Sequence, residues 1–251
     1  MRVIRLTLAY DGTDFRGWAQ QRHPEVRTVE GSLIDVLTRV VREDVGLSVA
    51  GRTDAGVHAQ GQVASFVTSS RLVPQRIQKA VNGFVSPEIV VVDAEEVPEG
   101  FDARFSATAR EYRYVVDTER FADPFTARFV WHRPRELRLG PMREAARHLV
   151  GEHDFASYCR HPGAGKSTVR DLQRASIVRE GARLVFSFRA NAFLHQMVRT
   201  IVGTLVRVGE GTLEPSDALR ILDERRRSIL TPPAPARGLT LDRVHYGTRG
   251  R

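Results

Sequence analysis

The stretch 50-AGRTDAGVHAQG-61 sets an acid, Asp54, two residues after a cation, Arg52, with glycines at 51, 56 and 61. A carboxylate held in such a loop has three chemical uses: nucleophile, base or metal ligand. Glycine there permits positive φ or a close approach of backbone to a ligand. The same residues have a plainer reading, in which the Asp54 side chain closes an Asx-turn on its own backbone. Other chemistry-bearing residues are less organised. GAGKS at 163–167 ends like a phosphate-binding loop, but that pattern needs a glycine five residues before Gly165, where Arg160 stands. The Arg160–Arg170 stretch reads instead as a basic loop suited to phosphate contact. His132, His153, His161 and His195 are scattered, and no histidine pair has the HExxH or another close ligand spacing.

The elements around the loop follow from periodicity. Ile4, Leu6, Leu8 and Tyr10 alternate on one face of a strand over 3–10. Val29, Leu33, Val36, Leu37, Val40 and Val41 recur at helical spacing over 29–43, with Thr28 as a candidate N-cap. LSVA (47–50) and QVASFV (62–67) read as strands flanking the loop, Pro74 opens a helix, and IVVVDAEEV (89–97) is a further strand. The order β-α-β-β-α-β is a split βαβ, or ferredoxin-like, arrangement. The second half repeats it more loosely: strands over 110–117, 173–179, 183–190 and 239–246, and helices over 141–150, 193–208 and 215–224. The expected fold class is α+β, two RRM-like subdomains with mainly antiparallel sheets. Residues 1–104 form the one carrying the Asp54 loop and 105–251 the other, with the active-site cleft between them. TPPAPARG (231–238) reads as a surface loop.

Composition narrows the partner. Lys+Arg number 38 against 30 Asp+Glu among 251 residues, a formal net charge of +8 that favours a polyanion such as nucleic acid. Cys159 is the single cysteine, so an intrachain disulfide and a cysteine-based zinc cluster are excluded. The start MRVIRLTLAYDG lacks the long apolar core of a signal peptide, and no 18-residue apolar run is present. The expectation is a cytoplasmic protein that does not cross a membrane. A four-stranded sheet is one way to present a flat face to RNA, although the aromatic pattern of RRM domains is not matched.

GRTDAGVHAQGQVASF (51–66) strongly resembles the signature of the TruA family of tRNA pseudouridine synthases. YDGTDFRGWAQQ (10–21), FDARFSATAREYRYVV (101–116), GEHDFASY (151–158) and NAFLHQMVRTIVGTL (191–205) match family blocks in the same order, so the resemblance covers nearly the whole chain. It implies the pseudouridine synthase fold, a homodimer, no cofactor, no nucleotide and no metal. The implied activity is isomerisation of uridine to pseudouridine at positions 38, 39 and 40 of the tRNA anticodon stem-loop, with the target base flipped out. Asp54 matches the family's catalytic aspartate, a nucleophile at uracil C6 or ribose C1′. Tyr112 matches the active-site tyrosine, whose ring stacks on the uracil and whose hydroxyl assists proton removal from C5. Tyr114 faces the same side of the strand, so spacing does not rank the two; the family pattern selects Tyr112. Arg199 matches the family's arginine, which pairs with the aspartate and keeps it ionised. Arg52, Arg104, Arg110 and Lys166 are candidate phosphate contacts. His58 and His195 either act in the chemistry or shape the loop and helix. Two other function classes compete: a non-catalytic RNA-binding module, and a metal-assisted nuclease, against which the missing ligand spacing argues.

Overall fold

A computed structural model describes residues 1–21, 23, 25–160, 163, 165–225 and 232–247. The chain folds as two compact units, one of Met1–Thr108 with the segment from Leu241, the other of Ala109–Thr240. The chain begins with β1 (Arg2–Tyr10), α1 (Val29–Val41), β2 (Ser48–Val49), β3 (His58–Thr68), α2 (Pro74–Val85) and β4 (Ile89–Val97). It continues with β5 (Ala107–Asp117), β6 (Trp131–His132), α3 (Leu139–His148), β7 (Gly151–Asp154), β8 (Val169–Glu180) and β9 (Arg183–Ala190). It closes with α4 (Met197–Gly209), α5 (Asp217–Asp223) and β10 (Leu239–Tyr246). The architecture is α+β and mainly antiparallel: β1 with β3 and β4, β2 with β3, β5 with β9, and β8 with β7 and β9 all pair antiparallel, while β5 and β6 make a two-residue parallel contact.

In the first unit the sheet runs β4-β1-β3-β10, with β2 beside β3. Alternation along β1 does what the pattern predicts: Ile4, Leu6, Leu8 and Tyr10 are all buried. The helix α1 covers that side through Val29, Leu33, Val36, Leu37 and Val41. Its N-cap is Thr28, whose hydroxyl accepts from the Gly31 amide at 3.2 Å, a contact worth about 1 kcal/mol. Proline starts α2, and Ile77 and Val81 face inward. The expected strand over 47–50 shrinks to Ser48 and Val49, paired with Ser65 and Ala64.

The division of the chain departs from the 1–104 and 105–251 expectation. Leu241–Tyr246 belongs with the first unit, where it approaches β3 closely: a Cβ on Gly61 would lie 2.4 Å from the Asp242 carbonyl oxygen. Tyr246 fastens it there, donating to the Ala103 carbonyl at 2.8 Å. Periodicity identifies a strand but carries no record of which sheet receives it.

The second unit carries the order β5-β9-β8-β7. Its core helix α4 is buried almost all round. Two glycines let neighbours touch its backbone: Cβ atoms at Gly203 and Gly209 would lie 2.4 Å from the Pro232 carbonyl and 2.5 Å from Met142 Sδ of α3. The 232–238 stretch is therefore no free surface loop. Ala234 and Gly238 are buried, and Thr231, the first residue of the expected 231–238 loop, lies outside the described residues.

Candidate active site

The Asp54 loop is held by every second residue. Gly51 accepts a 2.7 Å hydrogen bond on its carbonyl from Gln62 Nε2. Thr53 is buried; its carbonyl accepts from the Trp18 amide at 3.0 Å and its Oγ1 lies 2.8 Å from the Tyr10 hydroxyl. Between and after them, Arg52 is exposed and Asp54 half-buried. The loop thus anchors 51 and 53 and presents 52 and 54.

The turn that follows is closed by backbone. The Val57 amide donates to the Asp54 carbonyl at 3.1 Å, and Gly56, third of the four residues, has φ +75°, as a type II turn requires. The turn therefore closes without needing the Asp54 side chain. Two more glycines make room for it. Gly17 has φ +93° and sits against Thr53, and a Cβ on Gly12 would come within 2.0 Å of the Val57 carbonyl oxygen. The Gly12 amide donates to His58 Nδ1 at 3.0 Å, and His58 is buried. Asp11 Oδ1, 3.1 Å from the same nitrogen, already accepts from the amide and hydroxyl of Thr13. Through Nδ1 the buried His58 ring thus contacts the 11–12 segment.

Tyr10 and Gln62 are the members that sequence reasoning missed. Tyr10 reads as one more inward strand residue. The available signal was Gln62, an amide at a position of β3 that is 0% exposed, since a buried amide must find partners. Burial pushes the Tyr10 phenol up to about 12, against the opposing effect of its hydrogen bonds to Thr53 and Gln62, so it stays protonated at neutral pH. Arg104, also of this unit, is exposed; its amide donates to Asp102 Oδ1 at 2.7 Å and its guanidinium lies 5.2 Å from the Phe105 ring centroid.

The remaining expected residues lie in the second unit. Tyr112, on β5, is 8% exposed and meets Phe193 edge to face, with ring centroids 5.0 Å apart. Tyr114, two residues on, is 0% exposed, and its hydroxyl donates to the Pro235 carbonyl at 2.8 Å. Burial pushes the Tyr114 phenol well up, opposed by the nearby charges of Arg199 and Arg237. Structure thus separates two tyrosines that spacing could not. Arg199, in the first turn of α4, is half-buried, and its Nε donates to the Ala234 carbonyl at 2.7 Å.

Arg110, expected as a phosphate contact, lies on the inward side of β5. It is 8% exposed, and its Nη1 donates to the Asn191 carbonyl at 2.8 Å, because strand alternation turns it to the same inward side as Tyr112. Lys166 is exposed. The residues after it enter β8 rather than a helix, so GAGKS lacks the helix N-terminus on which a phosphate-binding loop depends. His161 and Ala164 lie outside the described residues. His195 is exposed, and its carbonyl accepts from the Arg160 amide at 3.0 Å.

Among the described residues no group of three or more His, Cys, Asp or Glu is placed to hold a metal ion. Nor is any described helix long and apolar enough to cross a membrane.

The sequence profile of a family described as tRNA pseudouridine synthase matches residues 7–106 and 145–247. A tRNA pseudouridine synthase A of Moorella thermoacetica is 40% identical over 246 residues, covering 98% of this chain and 100% of that protein. The protein of that name in Brachyspira hyodysenteriae is 41% identical over 249 residues, covering 98% and 99%. That of Leifsonia xyli subsp. xyli is 43% identical over 265 residues, covering 97% and 91%.

Proposed function

The chain belongs to the tRNA pseudouridine synthase family, its fold is α+β and mainly antiparallel, and we propose that it isomerises uridine to pseudouridine at positions 38, 39 and 40 of the tRNA anticodon stem-loop. The reaction breaks the N1–C1′ bond, turns the freed uracil and joins C5 to C1′. C5 loses a proton and N1 gains one, so no redox partner or energy source enters the balance. Asp54 is the nucleophile, a carboxylate able both to attack and later to leave. The target uridine flips out of its stack, at a cost of a few kcal/mol offset by stacking and phosphate contacts.

The observation that carries this reading is the presentation of Asp54: half-exposed, with Thr53 before it tied to buried donors and its own turn closed by backbone. A nucleophile needs that combination of access and fixed direction. Tyr112 and Arg199 act on the same uridine in this reading, as ring and proton acceptor and as the cation that keeps the carboxylate ionised. Arg52, Arg104 and Lys166, all exposed, contact phosphates; buried Arg110 serves nearer the base. A cytoplasmic homodimer that binds one tRNA across both subunits completes the proposal.

The test uses unmodified tRNA transcript and purified protein with no added metal or nucleotide. Pseudouridine is mapped by carbodiimide adduct and primer extension, with Asp54→Asn alongside. Stops at 38–40 with the unaltered protein, and none with Asp54→Asn at tRNA affinity within about threefold, are expected, since amide for carboxylate removes the nucleophile but little binding surface. Binding without stops would favour the RNA-binding module, and turnover by Asp54→Asn would remove the nucleophile role.

A further inference from the structure

The Tyr10 hydroxyl, Gln62 amide and Thr53 hydroxyl form a chain whose direction the donors settle. Gln62 Nε2 donates to the Gly51 carbonyl at 2.7 Å and to the Tyr10 hydroxyl oxygen at 3.3 Å, while Gln62 Oε1 accepts from the Val63 amide at 3.1 Å. The Gly51 carbonyl can only accept and the Val63 amide can only donate, so the orientation of the Gln62 amide is fixed. The Tyr10 oxygen is thereby an acceptor from Gln62, and its one proton goes to Thr53 Oγ1, 2.8 Å away. Gln62 is 0% and Tyr10 5% exposed, so water does not compete for these bonds.

We propose that Tyr10 and Gln62 are positioning residues for the reaction, fixing Gly51 and Thr53 so that Arg52 and Asp54 between and after them point at the RNA. The proposal rests on the reading of Asp54 as nucleophile. The two residues grip alternate positions of one segment: Gln62 at 51, Tyr10 at 53. The carboxylate on 54 is one peptide from the second grip, and its own carbonyl bounds the turn to Val57. Release of Thr53 lets Asp54 shift, and misplacement by about 1 Å costs on the order of 10²-fold in rate.

Tyr10→Phe tests this with little loss of packing, since the ring and its 6.1 Å approach to Trp18 remain. The single-turnover rate at saturating tRNA transcript is expected to fall by about 10- to 100-fold, with tRNA affinity within about threefold, because the bond acts on geometry rather than on contact with RNA. Thr53→Val should reproduce the loss, and Thr53→Ser, which keeps the accepting oxygen, should stay within about threefold of the unaltered protein. Tyr10→Phe combined with Thr53→Val should be no slower than either alone, because both remove one bond. Amide exchange at Trp18 and Val57, whose partners are the carbonyls of Thr53 and Asp54, should quicken in Tyr10→Phe.

A lowered melting temperature with an unchanged rate per folded molecule would make the chain structural and overturn the proposal. Unchanged exchange at both amides, or additive losses in the double variant, would overturn it too. Failure of the unaltered protein to form pseudouridine would instead sink the function proposed above, and amide exchange would still decide whether Tyr10 holds the loop.

Discussion

Tyr114 and Arg199 donate to consecutive carbonyls of one segment, the phenol to Pro235 at 2.8 Å and the guanidinium Nε to Ala234 at 2.7 Å. The Ala234 amide returns a bond to the Arg199 carbonyl at 2.9 Å, so the arginine's backbone and side chain both hold this stretch. Tyr114 is thus committed to architecture. Tyr114→Phe leaves the Pro235 carbonyl without its donor, at a cost of about 1–3 kcal/mol. Thermal melts should show that loss with turnover per folded molecule unchanged. Tyr112→Phe should do the reverse, slowing single turnover by about 10²–10⁴-fold if its hydroxyl handles the C5 proton, with a melt close to the original.

Gly12→Ala tests the approach of the 11–13 turn to the Asp54 loop. With the Val57 carbonyl 2.0 Å from the new Cβ, backbone has to move. A loss of about 1–3 kcal/mol is expected, as for overpacking generally. Urea denaturation measures it, and the folded fraction should also turn over more slowly, because Val57 closes the turn that begins at Asp54.

Arg52→Ala separates phosphate contact from loop structure. Arg52 is exposed between two anchored residues, so its loss should leave the melt unchanged. If it neutralises one phosphate, tRNA binding weakens and the slope of log affinity against log salt falls by about one. Filter binding at several salt concentrations gives both numbers.

Glu43 ties the end of α1 to the end of β3. Hydrogen bonds from the Ser69 and Thr68 hydroxyls hold its carboxyl at about 2, below its ordinary value of 4.5. The unfolded chain therefore takes up the proton first, so this contribution is fully present above pH 4.5 and is lost as pH falls from there towards 2. The melting temperature of Glu43→Gln should lie below that of the unaltered protein at pH 7. Melts down an acid series should show the gap closing through that window, and a gap independent of pH would rule the linkage out.

Most of the first unit was legible because its periodicities are local. Thr28 caps α1, Pro74 starts α2, and the inward face of β1 follows the alternation of Ile4, Leu6, Leu8 and Tyr10. Boundaries set by single dihedrals were not. The helix expected from 193 starts at Met197, because Gln196 takes φ +64° and cannot continue a helix backwards. The site was legible at Asp54, whose glycines are visible in sequence, and not at Tyr10 and Gln62. Their contacts cross 43 and 52 residues, Tyr10 is an ordinary strand residue by type, and the Gln62 amide becomes a signal only once its burial is known. Arg110 lies inward by the same alternation that buries Tyr112 and Tyr114, a position its charge disguised.

The return of Leu241–Tyr246 to the first unit also bears on how the chain is born. A ribosome releases Met1–Thr108 well before β10, and all of Ala109–Thr240 must be synthesised in between. Through that interval the nascent sheet lacks the strand that hydrogen bonds to β3, and an edge of unpaired amides and carbonyls stands open. Domains ordinarily fold in the order of synthesis. Here the second unit has all of its chain before the first does, and the last strand to emerge completes the sheet that the first strand began.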